Sequence, residues 1–442
     1  MEEQFDCIIV GGGIAGLSAA MTLARAKKRF LLVERGEFCG AKNVSGGVLW
    51  GQDLAELVPN YWEHENAGFE RFVNHRRLSF LDKGSAFSVD FKSDHFEDTP
   101  YIGLSVLRAR FDAWLADEVQ KVLDETGMGT ESFLATNVRV DDLVTNEAGK
   151  VTGIQAGEEV FEAGCVILAE GVNNLLTRKA GIEPAYVSSD YVAVGVKEVI
   201  QFPEQTLVDR FQLRGRSGLT NEFIGSATDG VEGGGFLYTN RDSLSVGLVL
   251  GMNALKASGK TPYDILNTFK AHPAVRDMIA GGEAVEYSAH VVSTGDARAI
   301  PSRLHGDGLL VVGEAAHLLL NAGKAIQGMD FAMRSGILAA RTVIDAADKA
   351  DFSQAQLQSY RKALDASYVM KDIKQFQGAV HLLHSEAMFS EIPNLICDIG
   401  RQFFTISNEP TPKTWKMIQN SIQAHSSYSR VLSLGLRGAL SL

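Results

Sequence analysis

Apolar positions along this chain follow three rhythms, and the change from one to the next divides it. Short unbroken apolar runs at 7–10, 165–169 and 309–312 each end at a glycine turn, near residues 11, 171 and 313. Runs of this length and β-branched content predict strands buried on both faces, as in a parallel sheet. The first is followed by helical spacing over 14–26 and a further strand at 30–33. Between 185 and 295 the rhythm becomes alternation, at 191–200 and 244–250 with the run 233–239 between them, which predicts antiparallel strands interrupted by a helix at 262–270. Strand-like pieces at 77–81 and 86–91, short strands at 137–143, 151–155 and 159–163, and a stretch from 104 leading into an amphipathic helix, with Arg108 and Arg110 at its start, through 123 fill the intervening chain. A long helix over 329–349 follows, and from 351 onward helical patterns dominate.

These rhythms predict an α/β fold: a Rossmann-like domain, an inserted antiparallel β-sheet domain and a helical C-terminal region. The expected divisions are 1–75, 104–180 and 296–350 for the first, 76–103 and 185–295 for the second, and 351–442 for the third. No apolar run approaches the roughly 18 residues of a membrane span, and an acidic start running straight into the first strand is unlike a signal peptide. The expected location is cytoplasmic, or peripheral on the inner face of the cytoplasmic membrane. The tail 430–442 is apolar with two arginines, a pattern suited either to an interface or to packing on its own domain.

Composition narrows the chemistry. A net charge of −12 over 442 residues argues against a nucleic-acid partner. The cysteines, Cys7, Cys39, Cys165 and Cys397, lie far apart with no C-x-x-C, which disfavours an iron–sulfur cluster or structural zinc in this chain. His381 and His384 are three apart on a predicted helix but lack a third ligand at useful spacing, so no metal site is expected.

The stretch 5–35 carries the clearest chemistry. After the first strand come Gly11, Gly12, Gly13, Ile14, Ala15 and Gly16, a G-x-G-x-x-G opening a helix, and Glu34 closes the second strand 18 positions later. Strand, glycine turn, helix, strand and acid together form the dinucleotide fingerprint. Gly11 allows the tight turn, Gly13 lets backbone approach a pyrophosphate, Gly16 lets helix and strand pack, and Glu34 accepts from a ribose. The glycine-rich loop 36–51 predicts close backbone approach to the same ligand. Arg108 and Arg110 sit at the start of a helix, where cations oppose the dipole and call for a nearby anion.

Three strand-to-glycine turns bracketing one antiparallel insertion resemble the FAD-dependent glutathione-reductase-like superfamily, in its geranylgeranyl reductase and aromatic hydroxylase branch. Within that branch the chain is most similar to FixC proteins, relatives of electron transfer flavoprotein:ubiquinone oxidoreductase. The stretches ERGEFCGAKNVSGG (34–47), SVLRARFDAWL (105–115), AVGVKEVI (193–200), DRFQL (209–213), GGGFLYTN (233–240), HPAV (272–275) and AGGEAVEYSAHVV (280–292) carry the resemblance. It implies an FAD-dependent oxidoreductase that takes electrons from a two-subunit electron transfer flavoprotein and passes them toward quinone. A separate ferredoxin-like partner would supply the iron–sulfur cluster that the cysteine count does not allow here. The chemistry would be the flavin's, with no side-chain nucleophile.

Carried over by position, the glycines of the fingerprint would face the pyrophosphate, with Glu34 and the adjacent Arg35 at the adenosine ribose. Ala41, Lys42, Asn43, Val44, Ser45 and Gly46 would wrap the flavin side. Arg108 would contact the ribityl-phosphate region, Val138 the adenine, Gly171 the middle turn, and Gly313 with Glu314 the ribityl chain. Gly323 in the loop 321–328 is a further cofactor contact. The third turn departs from the family's G-D-A-A-G: here it reads Gly313-Glu314-Ala315-Ala316-His317. A longer acid must retract, and two readings compete: drift, with the flavin shifting slightly and function kept, or an imidazole near the flavin that alters its affinity or potential. Two other readings share the fold: a prenyl-lipid reductase of the geranylgeranyl reductase type, and a non-catalytic subunit with a degenerate flavin site.

Overall fold

Four apolar stretches with almost no polar side chain assemble the first sheet. The strand Phe5–Val10 lies at its centre, parallel to Phe30–Val33 on one side and to Glu159–Leu168 on the other, with Leu309–Val311 beyond. In the computed structural model, which describes residues 4–43, 46–182, 188–323 and 325–441, the stretches 7–10, Phe30–Val33, 165–168 and Leu309–Val311 are buried. Helices Ile14–Arg25 and Met329–Asp348 pack on each other and on this sheet, and Arg108–Thr126 packs against the former. The apolar residues of the sheet and of these helices form one continuous core.

Two local expectations are corrected. The expected strands 159–163 and 165–169 are one strand, Glu159–Leu168. Its first half pairs antiparallel with Val151–Ala156 in a three-stranded flap, and its second half enters the parallel sheet. The expected strand 137–143 is replaced by Phe133–Ala135 at the sheet edge and Asp142–Thr145 in the flap. The chain between them is instead tied to the loop after the second strand, Asn137 N–H donating to Gly36 O at 2.8 Å and Val138 N–H to Glu34 O at 3.0 Å. Backbone groups committed there cannot serve a ladder.

The second sheet has nine strands. From one edge it runs Glu283–Ser293, Val192–Gln201, Ser243–Gly251, Gly233–Thr239, Ser217–Gly225, Arg71–Leu81, Gly103–Leu107 and Gly46–Trp50, with Ala86–Lys92 also paired to Arg71–Leu81. Pairing is antiparallel except between Ser217–Gly225 and Arg71–Leu81, which is parallel. Gly46–Trp50 and Gly103–Leu107 come from parts of the chain whose neighbours build the first domain, so this sheet is threaded through it. One face buries Leu219, Phe223, Val246 and Leu248 against helices Glu204–Phe211 and Pro262–Ala271. The other face turns toward the parallel sheet. Beyond Asp351 the chain is helical through Tyr428–Ser441.

Candidate cofactor and acceptor site

A cavity of about 920 Å³ lies between the C-terminal ends of the parallel strands and the open face of the nine-stranded sheet. Val10, Val33, Ala169 and Val312, at or just beyond the ends of four parallel strands, all line it. Doubly wound sheets bind ligands at this edge, because loops there face no neighbouring strand.

At one end, Gly11, Gly13, Ile14 and Ala15 form the wall at the N-terminus of helix Ile14–Arg25. The backbone of Gly11 has φ of 112°, and a Cβ placed on it would fall 2.3 Å from Ala169 O. Gly16 lies off the wall: its absent side chain lets the helix seat against the first turn, where a Cβ would meet Gly11 O at 2.0 Å. Around Gly13 the nearest groups to an added Cβ are Arg108 Nη2 at 3.5 Å and Asn43 Nδ2 at 3.7 Å. Unpaired helix N–H groups, a guanidinium, a carboxamide and the exposed Lys42 thus surround an open space. That is a donor set for a pyrophosphate.

Glu34 lines the adjoining wall with Arg35, Val138, Arg139 and Val140. Its carboxylate braces the turn: Gly12 N–H donates to Oε2 at 2.8 Å and Gly36 N–H to Oε1 at 2.6 Å. Each oxygen keeps a lone pair for a ribose hydroxyl. Gly12 itself is off the wall, as is Ala41, while Val44, Ser45 and the surroundings of Gly46 lie outside what the structure describes.

Arg108 resolves the question of its compensating anion. It forms two hydrogen bonds to Asp112 one turn along the same helix, at 2.8 and 2.7 Å, and the Asp112 side chain is fully buried. Burial alone would lower the Arg108 guanidinium, but Asp112 and then Glu314 outweigh it and hold it above its ordinary value. Asn43 donates to the same Asp112 carboxylate, so one buried acid orients both phosphate-side donors.

The middle turn presents Glu170 and Gly171 to the cavity. Glu170 caps helix Leu175–Lys179 by accepting from Leu176 N–H at 3.0 Å and Thr177 N–H at 2.7 Å. At the third turn Gly313 is behind the wall, its N–H donating to Ser335 Oγ at 2.9 Å, while Glu314 and Gly323 are on it. The Glu314 carboxylate is anchored: Ser293 N–H donates to Oε1 at 3.0 Å, tying the turn to the nine-stranded sheet.

His317 corrects an expectation. It occupies the left-handed region with φ of 54°, which turns its ring inward; it is 1% exposed, absent from the cavity wall, with Nε2 3.4 Å from Asn174 Nδ2. The imidazole sits between two turns of the protein and is not a direct neighbour of a ligand in the cavity.

Sequence reasoning expected the inserted sheet to wall a substrate cavity but named no residue of this opposite end. There the nine-stranded sheet contributes Trp50, Leu78, Lys197, Glu222, Phe236, Tyr238 and His290. Phe236 and Tyr238 stack at 5.0 Å between centroids with 16° between planes. Lys197 pairs with Glu286 at 3.3 Å, and burial lowers its ammonium against that pull. His384, beyond the helix Gln377–Leu383, pairs with Glu232 on the cavity rim, and no group of three or more potential metal ligands occurs among the described residues. The alternation of 191–200 and 233–239 marks these faces as half-open but not what they face.

Residues 6–125 match the family described as FAD dependent oxidoreductase, 192–292 match ETF-QO, ubiquinone-binding, and 379–442 match the ETF-QO/FixC family C-terminal domain. The chain is 40% identical to Protein FixC of Salmonella typhi over 99% of both chains. It is also 40% identical to the probable electron transfer flavoprotein-quinone oxidoreductase YdiS of Escherichia coli K12 over the whole of both, and 34% identical to Protein FixC of Bradyrhizobium diazoefficiens over 99% of both. Among solved structures, a geranylgeranyl bacteriochlorophyll reductase-like protein from Thermoplasma acidophilum superposes with a TM-score of 0.72 at 19% identity, covering 98% of each chain. The myxobacterial halogenase CndH gives 0.65 at 19% identity over 87% of this chain and 84% of its own. Likeness at that identity concerns the fold alone.

Proposed function

The chain belongs to the ETF-QO/FixC family and is an FAD-dependent oxidoreductase, and from that premise we propose that it accepts electrons from an electron transfer flavoprotein and passes them to quinone. One observation carries this reading. A single cavity joins the donor set suited to FAD with the face of the strands that match the ubiquinone-binding family, so cofactor and acceptor share one space. Bound FAD supplies two-electron acceptance with stepwise release. The protein's part is to hold the pyrophosphate at Gly13, Arg108 and Asn43, to take the ribose at Glu34, and to keep the acceptor end largely apolar. The scattered, individually buried cysteines support placing an iron–sulfur centre on a separate ferredoxin-like partner. Anaerobic mixing with a reduced electron transfer flavoprotein should bleach the bound flavin, and added ubiquinone should restore its colour. Bleaching without quinone-dependent recovery defeats the proposal; turnover of a prenyl lipid instead selects the reductase reading.

We further propose contact with the membrane surface through helix Tyr428–Ser441. Among the described residues no helix is long and apolar enough to cross a bilayer. This one buries none of its residues, and Leu432, Leu436 and Leu440, one turn apart, are 66%, 57% and 87% exposed. Trp415, Phe404 and Ile406 are also exposed, and Arg437 suits an anionic interface. Changing all three leucines to serine should weaken co-sedimentation with anionic liposomes by about ten-fold or more without loss of flavin. Unchanged partitioning would assign the helix to another partner.

A further inference from the structure

We propose that Glu222 is the proton donor to the acceptor reduced in this cavity, which rests on the electron-transfer-to-quinone reading above. Glu222 lies on Ser217–Gly225 directly opposite Phe236 in the antiparallel pairing, so its carboxyl stands beside the Phe236–Tyr238 stack. Trp50 and Leu78 face the same space from neighbouring strands. Next to Phe236, Gly247 carries no side chain, and a Cβ there would fall 2.4 Å from the Phe236 ring, so the aromatic ring lies flat over it. Together these make a wall of aromatic and aliphatic side chains with one carboxyl beside it.

The other wall carboxylates are already engaged. Glu34 and Glu314 accept backbone N–H groups, Glu170 caps a helix, Glu232 pairs with His384, and Asp141 pairs with Arg139 at 2.7 Å. Glu222 differs: among the described residues its carboxyl meets only its own backbone N–H. Burial pushes it up to about 7, against the opposing pull of Arg76. From the adjacent strands it is faced by Arg76, stacked over Trp50 at 4.5 Å, and by the Tyr238 hydroxyl, which burial and Glu222 push up so that it stays protonated. The remaining charges on elements packed against this strand are committed elsewhere: Arg71 to backbone carbonyls and Glu204, His75 and Arg77 to Asp90, Glu391 to Arg430 at 2.6 Å, and Asp398 to Arg401 at 3.2 Å.

The step balances as follows. Reduction of a quinone takes two electrons, which bound FAD would supply while its own proton leaves to solvent; the Glu222 O–H bond breaks as one quinone oxygen gains its O–H. The second proton comes from solvent, and the Glu222 carboxylate is reprotonated by water from the cavity mouth. A carboxyl with a raised value holds its proton below about pH 7, so donation is lost as pH rises through that value.

The holoenzyme tests this with Glu222→Gln and Glu222→Asp, using short-chain ubiquinone and ferricenium, which takes an electron but no proton. Glu222→Gln should lower kcat for ubiquinone by about 100-fold, leave ferricenium reduction within about two-fold, and abolish the fall of the quinone rate above pH 7; Glu222→Asp should recover part of the rate. Quenching of tryptophan fluorescence should give a ubiquinone Kd within about three-fold of the parent. In the resting oxidised holoenzyme, a protonated-carboxyl infrared band should titrate away near pH 7 and be missing in Glu222→Gln. Equal loss with both acceptors, an unchanged quinone profile, or an unchanged infrared band overturns the proposal. Wild-type protein that reduces ferricenium but no quinone overturns the underlying reading instead.

Discussion

Gly11→Ala is expected to leave the purified protein essentially free of flavin and to lower its stability by about 3 kcal/mol or more. Two costs add. The backbone at Gly11 has φ of 112°, a region closed to side-chain-bearing residues at about 1–3 kcal/mol. A Cβ would also stand 2.3 Å from Ala169 O and 2.8 Å from Ala169 C. That neighbour is backbone at the end of a buried strand, unable to swing aside as a flexible side chain would, so the turn must move. Overpacking in such a place adds about 1–3 kcal/mol. Because Gly11 N–H donates to Val33 O at 2.8 Å, a displaced turn also drags on the second strand, which ends at Val33 just before Glu34. Gly127→Ala separates the two costs. Gly127 has φ of 73° with nothing within 4 Å of an added Cβ, so only backbone strain of about 1 kcal/mol is felt there. Flavin absorbance per chain and apparent Tm of both variants check this; a yellow Gly11→Ala protein with the Tm of Gly127→Ala would show that the turn relaxes freely.

The cofactor half of the site was legible because its information is local. Turn, helix start and ribose acid fall within residues 11–34, and sterics fix their mutual placement once strand and helix form. The acceptor half was not, because Trp50, Leu78, Glu222 and Phe236 come from four strands far apart in sequence. Alternation tells which residues share a face; it does not tell that Ser217–Gly225 lies parallel to Arg71–Leu81. His317 shows a subtler failure. Its position in the motif suggested a flavin neighbour, but a left-handed backbone turned the ring into the protein. Arg108 shows the converse: Asp112, at the i+4 spacing, was readable in the sequence as its partner.

Nothing in the sequence pattern singles out Arg71, but its replacement by alanine should have the largest stability effect of any single side-chain truncation in the acceptor domain. It is 1% exposed. Its guanidinium donates to Asn240 O at 2.7 Å, Arg241 O at 2.8 Å, Gly215 O at 3.0 Å and Ser217 O at 3.2 Å, and reaches Glu204 at 3.4 Å. Burial lowers the guanidinium, with Glu204 and Glu70 pulling the other way. Arginine supplies this many donors in a fixed fork; lysine has three on a point charge. Truncation therefore strands four carbonyls and leaves a cavity, at about 3–5 kcal/mol, and Arg71→Lys should recover little. An apparent Tm lower by on the order of 10 °C is expected. The effect should reach function, because the clamped carbonyls border Ser217–Gly225 and Gly233–Thr239, the strands that carry Glu222, Phe236 and Tyr238. In the surviving folded fraction, KM for ubiquinone should rise while flavin content stays near that of the parent, since Arg71 touches none of the phosphate-side donors. Loss of flavin in step with KM would mean that the two sheets unfold together, and a Tm within 2 °C of the parent would mean that the loops at 215–217 and 240–241 hold themselves without the clamp.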